Sequence, residues 1–128
     1  MRILLDTHTL LWFTAGAADL SAVARATIED PSNESVVSVA SVWEMAIKMS
    51  LGRLDLGSNL DGFVDNHIVA NGIGLLRIRI THIAATVGLP FHHRDPFDRL
   101  IIAQALTEGL PVVGSDPEFS KYGVRMIW

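Results

Sequence analysis

Short apolar runs alternate along this chain with segments of helical period, and that alternation restricts the fold more than any single residue does. Arg2-Ile3-Leu4-Leu5, Val36-Val37-Ser38-Val39, Leu75 to Ile80, Pro111-Val112-Val113-Gly114 and Val124 to Trp128 read as strands. The third alternates apolar with basic residues (Arg77, Arg79) and predicts a strand with one wetter face. The others are continuous apolar runs, the pattern of strands covered on both sides. Helices are expected between them. The first, over Leu10 to Phe13, is capped by Asp6-Thr7 and closed by Gly16; the second runs from Ser21 to Glu29. A third starts at about Ser41, puts Val42, Met45, Ala46 and Met49 on its apolar face, and stops at Gly52. A fourth runs from Ser58 or Asn59 through Phe63 and Ile68, and a fifth from Thr81 to Val87. The sixth spans Pro96 to about Glu108, with Asp95 as cap and Gly109 as stop. Ser115-Asp116-Pro117 opens a last short turn of helix. Strands alternating with helices predict an α/β fold, a mostly parallel sheet of four or five strands with helices on both faces.

A chain of 128 residues, 49% of them hydrophobic, is expected to form one domain over residues 1–128 and is too apolar to be disordered. It has no cysteine, which excludes a disulfide scaffold, a thiolate metal site and a cysteine nucleophile, and fits a cytoplasmic protein. Ile3-Leu4-Leu5 is too short for a signal-peptide core, and no stretch reaches the length of a membrane span. The net charge of −4 argues against nucleic-acid binding by bulk charge. The imbalance lies in residues 1–64, with 4 basic and 8 acidic side chains, against 6 of each in residues 65–128. Contact with a nucleic acid is therefore expected to be local, with metal ions offsetting the acids.

Right-handed crossovers place the loops that follow parallel strands along one edge of the sheet, where open α/β sheets hold their ligands. Asp6 follows the first strand, Glu44 lies in the first turn or so after the second, and Asp116 follows the fourth. Asp98 occupies the first turn of the helix that leads into that fourth strand. Carboxylates gathered in one place repel one another until they take up protons or a cation. Oxygen ligands without cysteine suit Mg²⁺ or Mn²⁺, which offset charge on a phosphodiester and activate water. Asp6, Glu44, Asp98 and Asp116 are thus the candidate catalytic and metal-binding residues.

Each has a plainer reading. Asp6 and Asp116 are good helix caps, Asp98 suits a helix dipole, and Glu44 has Lys48 one turn on. Asp95 reads mainly as a cap. Arg99 either anchors a phosphate or pairs with Asp95; Ser41 either bonds the acids and substrate or caps its helix. The adjacent His92 and His93 suit a loop or substrate-side role better than joint ligation of one ion. Trp12 and Trp43 read as core or interface, with base stacking as the other reading.

Four blocks together resemble PIN-domain proteins, and more closely the VapC-type toxins of bacterial VapBC modules. These are Leu4-Leu5-Asp6-Thr7-His8; Ser41-Val42-Trp43-Glu44 with Lys48 and Gly52-Arg53-Leu54; His93-Arg94-Asp95-Pro96-Phe97-Asp98-Arg99 with Ile102-Ala103-Gln104-Ala105; and Ser115-Asp116 with Phe119 and Tyr122. The resemblance runs nearly end to end. It implies a three-layer α/β/α PIN-like fold and a Mg²⁺- or Mn²⁺-dependent endoribonuclease acting on cellular RNA, commonly tRNA or ribosomal RNA. It also implies a homodimer, silenced by a cognate VapB-type antitoxin. The family acids fall on Asp6, Glu44, Asp98 and Asp116, with Asp98 favoured over Asp95. Among rivals, an aspartate-nucleophile phosphatase wants a second Asp where His8 stands. A receiver domain wants an Asp ending the third strand. A non-catalytic PIN-like binding module, with structural acids, is the rival of another kind.

Overall fold

A computed structural model describes residues 1–128. Its elements are β1 (Arg2–Leu5), α1 (Thr7–Ala15), α2 (Ala22–Glu29), β2 (Glu34–Ser38), α3 (Val39–Ser50) and α4 (Leu60–Phe63). After them come a π-helical segment (Val64–Val69), β3 (Gly74–Leu76), α5 (Ile80–Val87), α6 (Pro96–Glu108), β4 (Val112–Val113), α7 (Pro117–Ser120) and β5 (Met126–Ile127).

The five strands form one sheet in the order β3-β2-β1-β4-β5, every neighbouring pair parallel. The central strand β1 is paired on both sides: Leu5 is in register with Val37 of β2 and Val113 of β4. Side chains alternate across the sheet and feed two cores. On one face Leu4, Val36 and Val112 pack with Ile101, Ile102 and Ala105 of α6 and with Phe119. On the other, Ile3, Leu5, Val37 and Val113 pack with Leu10, Ala24, Met45, Phe63 and Ile68. The result is the expected α/β/α layering. No helix is long and apolar enough to cross a membrane.

Several boundaries differ from the sequence reading. Val39 belongs to α3, because Ser38 ends β2 and caps the helix, accepting the Ala40 N–H at 3.0 Å. The third strand stops at Leu76 instead of running to Ile80. Leu76 is in register with Ser38, and beyond Ser38 its partner strand has turned into helix, so the ladder has nothing to pair with. α5 starts at Ile80 without a cap from Thr81; the Arg79 N–H is taken up by Nδ1 of the fully buried His82 at 3.0 Å. The expected fourth helix is α-helical only to Phe63 and then widens. Phe63 and Ile68, five residues apart, would face different sides of an α-helix, yet both are buried in the same core.

The chain leaves β1 for β2 on one side and later returns to β4 on the other. The point where strand order reverses therefore lies between β1 and β4, at their C-terminal ends.

Candidate active site

Asp6 stands at that reversal point. It caps α1, Oδ1 accepting the Thr7 N–H at 2.8 Å, and the residue is only 6% exposed. Gly114, the residue after β4, faces it: a β-carbon there would lie 3.1 Å from Asp6 Cβ and 3.4 Å from Oδ2. Asp116 caps α7, accepting the Glu118 N–H at 2.9 Å. Asp98 is the third residue of α6, whose N-cap is Asp95; Asp95 Oδ1 accepts the Asp98 N–H at 2.9 Å. Glu44 sits in the second turn of α3, with Lys48 Nζ 3.2 Å from Oε2. Its Oε1 is buried and receives no hydrogen bond.

The carboxyls act on one another. Asp98 is pushed up to about 7, first by burial, then by the charges of Asp95, Asp6, Glu44 and Asp116. Asp6 is pushed up to about 6, again chiefly by burial, with Asp116 and Glu44 adding and the Thr7 N–H and His8 opposing. Four elements thus deliver four acids into one field, as the alternation predicted. No three His, Asp or Glu side chains are gathered closely enough to chelate an ion by direct ligation. Mg²⁺ takes one or two carboxylates and keeps its waters, so this donor set suits a hydrated hard cation. The Glu44 oxygen that receives no hydrogen bond is an acceptor such an ion could use.

Buried hydrogen bonds hold the frame. Thr7 Oγ1 donates to Ser41 Oγ at 2.7 Å and ties α1 to α3; Thr9 Oγ1 donates to the Val113 carbonyl at 2.8 Å and ties α1 to β4. Ser38 Oγ donates to the Gln104 side chain, linking the start of α3 to α6. An apolar cleft of about 310 Å³, lined by Leu11, Trp12, Leu54, Leu56 and Phe63 among others, includes none of the four acids.

The family model of the PIN domain matches residues 3–124. This chain belongs to the PIN-domain family. It is 30% identical over 115 residues to ribonuclease VapC22 of Mycobacterium tuberculosis (strain ATCC 25618 / H37Rv), covering 89% of this chain and 86% of that protein. Among solved structures it is similar to VapBC2 from Rickettsia felis bound to a promoter DNA fragment, with a TM-score of 0.73, 12% identity, and coverage of 98% and 97% of the two chains. It is also similar to VapBC-1 from nontypeable Haemophilus influenzae, with a TM-score of 0.67, 14% identity, and coverage of 98% and 96%. These two likenesses show the fold.

Two residues of this PIN domain do not sit where a contact to substrate needs them. Ser41 is fully buried, its hydroxyl used by Thr7. Arg99 is 7% exposed and forms no ion pair with Asp95. Its guanidinium donates to the carbonyls of Pro90 at 2.8 Å, Thr86 at 3.2 Å and Leu89 at 3.2 Å, and to the Tyr122 hydroxyl at 3.3 Å. The Phe91 ring covers it, 4.0 Å from centroid to guanidinium carbon. Both are braces. Trp43, read as core or interface, is exposed beside Glu44, its ring edge-on to Phe97 with centroids 5.2 Å apart. Thr7 and Gln104 stand in the blocks that carry the resemblance and Gly114 ends an apolar run, but the bracing roles of the first two and the close approach of the third to Asp6 were not read from the sequence.

Proposed function

We propose that this PIN domain is a Mg²⁺- or Mn²⁺-dependent endoribonuclease and the toxin of a VapBC-type module. The observation that carries the reading is the coupled acid cluster at the strand-order reversal, with Asp6 and Asp98 both pushed up toward neutrality. A structural use of these acids explains the caps at Asp6 and Asp116. It leaves the buried, unbonded Glu44 oxygen and the cost of crowding Asp98 among four other acids without a purpose.

In this reading Asp6, Glu44, Asp98 and Asp116 hold the ion, some of them through water. When bound, the ion offsets the charge that grows on a phosphodiester and acidifies water. The protein's own part is orientation. The cap bond from Thr7 fixes the Asp6 carboxylate, Gly114 leaves room for it, and Lys48 holds one oxygen of Glu44 so that the other stays free. No basic side chain pairs with Asp6 or Asp116, so a divalent cation is the natural counter-charge.

The likeness to ribonuclease VapC22 supports RNA as substrate, and the VapBC structures support an antitoxin as partner. We place the substrate among tRNA or ribosomal RNA and the assembly as a homodimer in the cytosol. The test is induction of the wild-type chain and of Asp98→Asn in cells, with mapping of new RNA 5′ ends. Discrete ends are expected for wild type and none for Asp98→Asn. In vitro, EDTA should stop cleavage and Mg²⁺ or Mn²⁺ restore it. Equal toxicity of the two chains, with no new ends, favours the non-catalytic binding module.

A further inference from the structure

His93 lies in the loop before α6, three residues outside the helix that carries Asp98. Its contacts define both its tautomer and its direction. The Tyr122 hydroxyl oxygen receives two donors, the His93 backbone N–H at 3.2 Å and Arg99 Nη1 at 3.3 Å. Its own proton is therefore free to donate, and of the two acceptors in reach, the His93 carbonyl at 3.5 Å and His93 Nδ1 at 2.8 Å, the ring nitrogen is the nearer. With Nδ1 accepting, the proton of the neutral ring sits on Nε2. That Nε2 is buried, makes no hydrogen bond, and faces Asp98 Oδ2 at 3.5 Å.

A buried donor without a partner is uncommon and costs stability. Here the acceptor it lacks is the carboxylate in front of it, slightly too far away for a bond. A small rotation of the Asp98 carboxyl closes the gap. The surrounding construction prevents the ring from turning away. Arg99 gathers the carbonyls of Thr86, Leu89 and Pro90 and braces Tyr122, and Tyr122 grips His93 at both its backbone N–H and its ring. Arg99, which makes no contact at the acid cluster, thereby acquires a purpose there.

We propose that His93 is the positioning residue of Asp98: Tyr122 holds the imidazole in the Nε2–H form, and that N–H fixes the Asp98 carboxylate in its metal-ready orientation. The inference rests on the metal reading above. A hydrogen-bonded neighbour that orients a ligand carboxylate contributes about 10- to 100-fold in metal affinity. If His93 only packs the loop against Tyr122, changing it alters melting and leaves affinity alone.

The experiment is calorimetric titration of Mn²⁺ into the metal-free full chain, with melting curves alongside, so that no turnover is needed. His93→Ala is expected to bind Mn²⁺ about 10-fold or more weakly than wild type. His93→Gln, which restores an N–H at the same reach, should bind within about threefold of wild type. Tyr122→Phe, which frees the ring, should weaken binding in the same direction as His93→Ala. Wild-type affinity in His93→Ala overturns the proposal, as does a His93→Gln no better than His93→Ala. If His93→Ala does not fold, wild-type affinity in Tyr122→Phe overturns it. Asp98→Asn separates the two levels. Weakened binding in Asp98→Asn with none in His93→Ala removes this inference alone. Absence of Mn²⁺ binding in wild type, or unchanged binding in Asp98→Asn, removes the metal reading and this inference with it.

Discussion

Gly114 occupies the one position at the end of β4 where a side chain would meet Asp6. A methyl group there would stand 3.1 Å from Asp6 Cβ, tighter than nearly all packed carbons, so Asp6 has to shift by a few tenths of an ångström. Its backbone is not in the left-handed region, so alanine meets no conformational penalty. Gly114→Ala should therefore keep the fold and displace the acid. Cleavage is expected to fall about 10- to 100-fold, as misplacements of under an ångström do, with little change in melting; unchanged turnover would mean that Asp6 is not held to a fixed position. Asp6, Glu44 and Asp116 could be picked out as candidates because each follows an apolar run, and Asp98 because it stands in the first turn of the helix that Asp95-Pro96 opens. Arg99 was not. Its partners are backbone carbonyls of Thr86, Leu89 and Pro90, and carbonyls leave no trace in a sequence. The pairing of Tyr122 with His93 was equally hidden, although both residues were singled out, because 29 residues separate two side chains that the fold joins.

The junction of β2 and α3 is where a strand becomes a helix without a loop, and Ser38 makes the change. Its hydroxyl accepts the Ala40 N–H as a cap and donates to Gln104 on α6, with both side chains fully buried. Removing the hydroxyl takes away a cap, about 1 kcal/mol, and leaves a buried amide oxygen short of a donor, about 1–3 kcal/mol. Ser38→Ala is expected to lower stability by about 2–4 kcal/mol, measured by urea unfolding, with the denaturant slope unchanged. A loss under about 0.5 kcal/mol would show that water or another rotamer takes the hydroxyl's place. The sequence reading put this strand and helix in the right order with the boundary one or two residues late. Val39 is as good a strand residue as Val36, and only the capping hydroxyl decides between them. The same boundary shortens β3, since a strand cannot pair beyond the end of its neighbour. Local pattern thus specified which elements exist, and tertiary pairing specified where they stop.

At the scale of the whole molecule, the sheet order sets stability against function. The chain reverses direction across the sheet between β1 and β4, and that topology brings Asp6, Glu44, Asp98 and Asp116 together whatever their mutual repulsion. The sign of the resulting pH dependence follows from where the protons go. Unfolded, an aspartate has its usual value of 3.8; folded, Asp6 lies near 6 and Asp98 near 7. Between those limits the folded chain holds more protons than the unfolded one, so stability falls as pH rises. With respect to these groups the metal-free protein should therefore be most stable below about pH 4 and lose stability from there up to about pH 7. Glu108, Asp30 and Glu118 are lowered by their hydrogen-bond partners, so their contribution has the opposite sign and rises with pH. The part of the decline between pH 5 and 8 that Asp98→Asn removes reports on the acid cluster. Mg²⁺ or Mn²⁺ replaces the lost protons, so the gain in Tm on adding metal should be larger at pH 8 than at pH 5. Asp98→Asn removes one charge from the cluster. At pH 8 in EDTA it should melt roughly 2–5 °C above wild type, match it more closely at pH 5, and gain less from metal. Melting curves of the two chains at pH 5 and 8, with and without Mg²⁺, test this directly. A metal-free wild type that grows more stable from pH 5 to 8, or an Asp98→Asn that melts lower at pH 8, would place these carboxylates in the service of the fold instead.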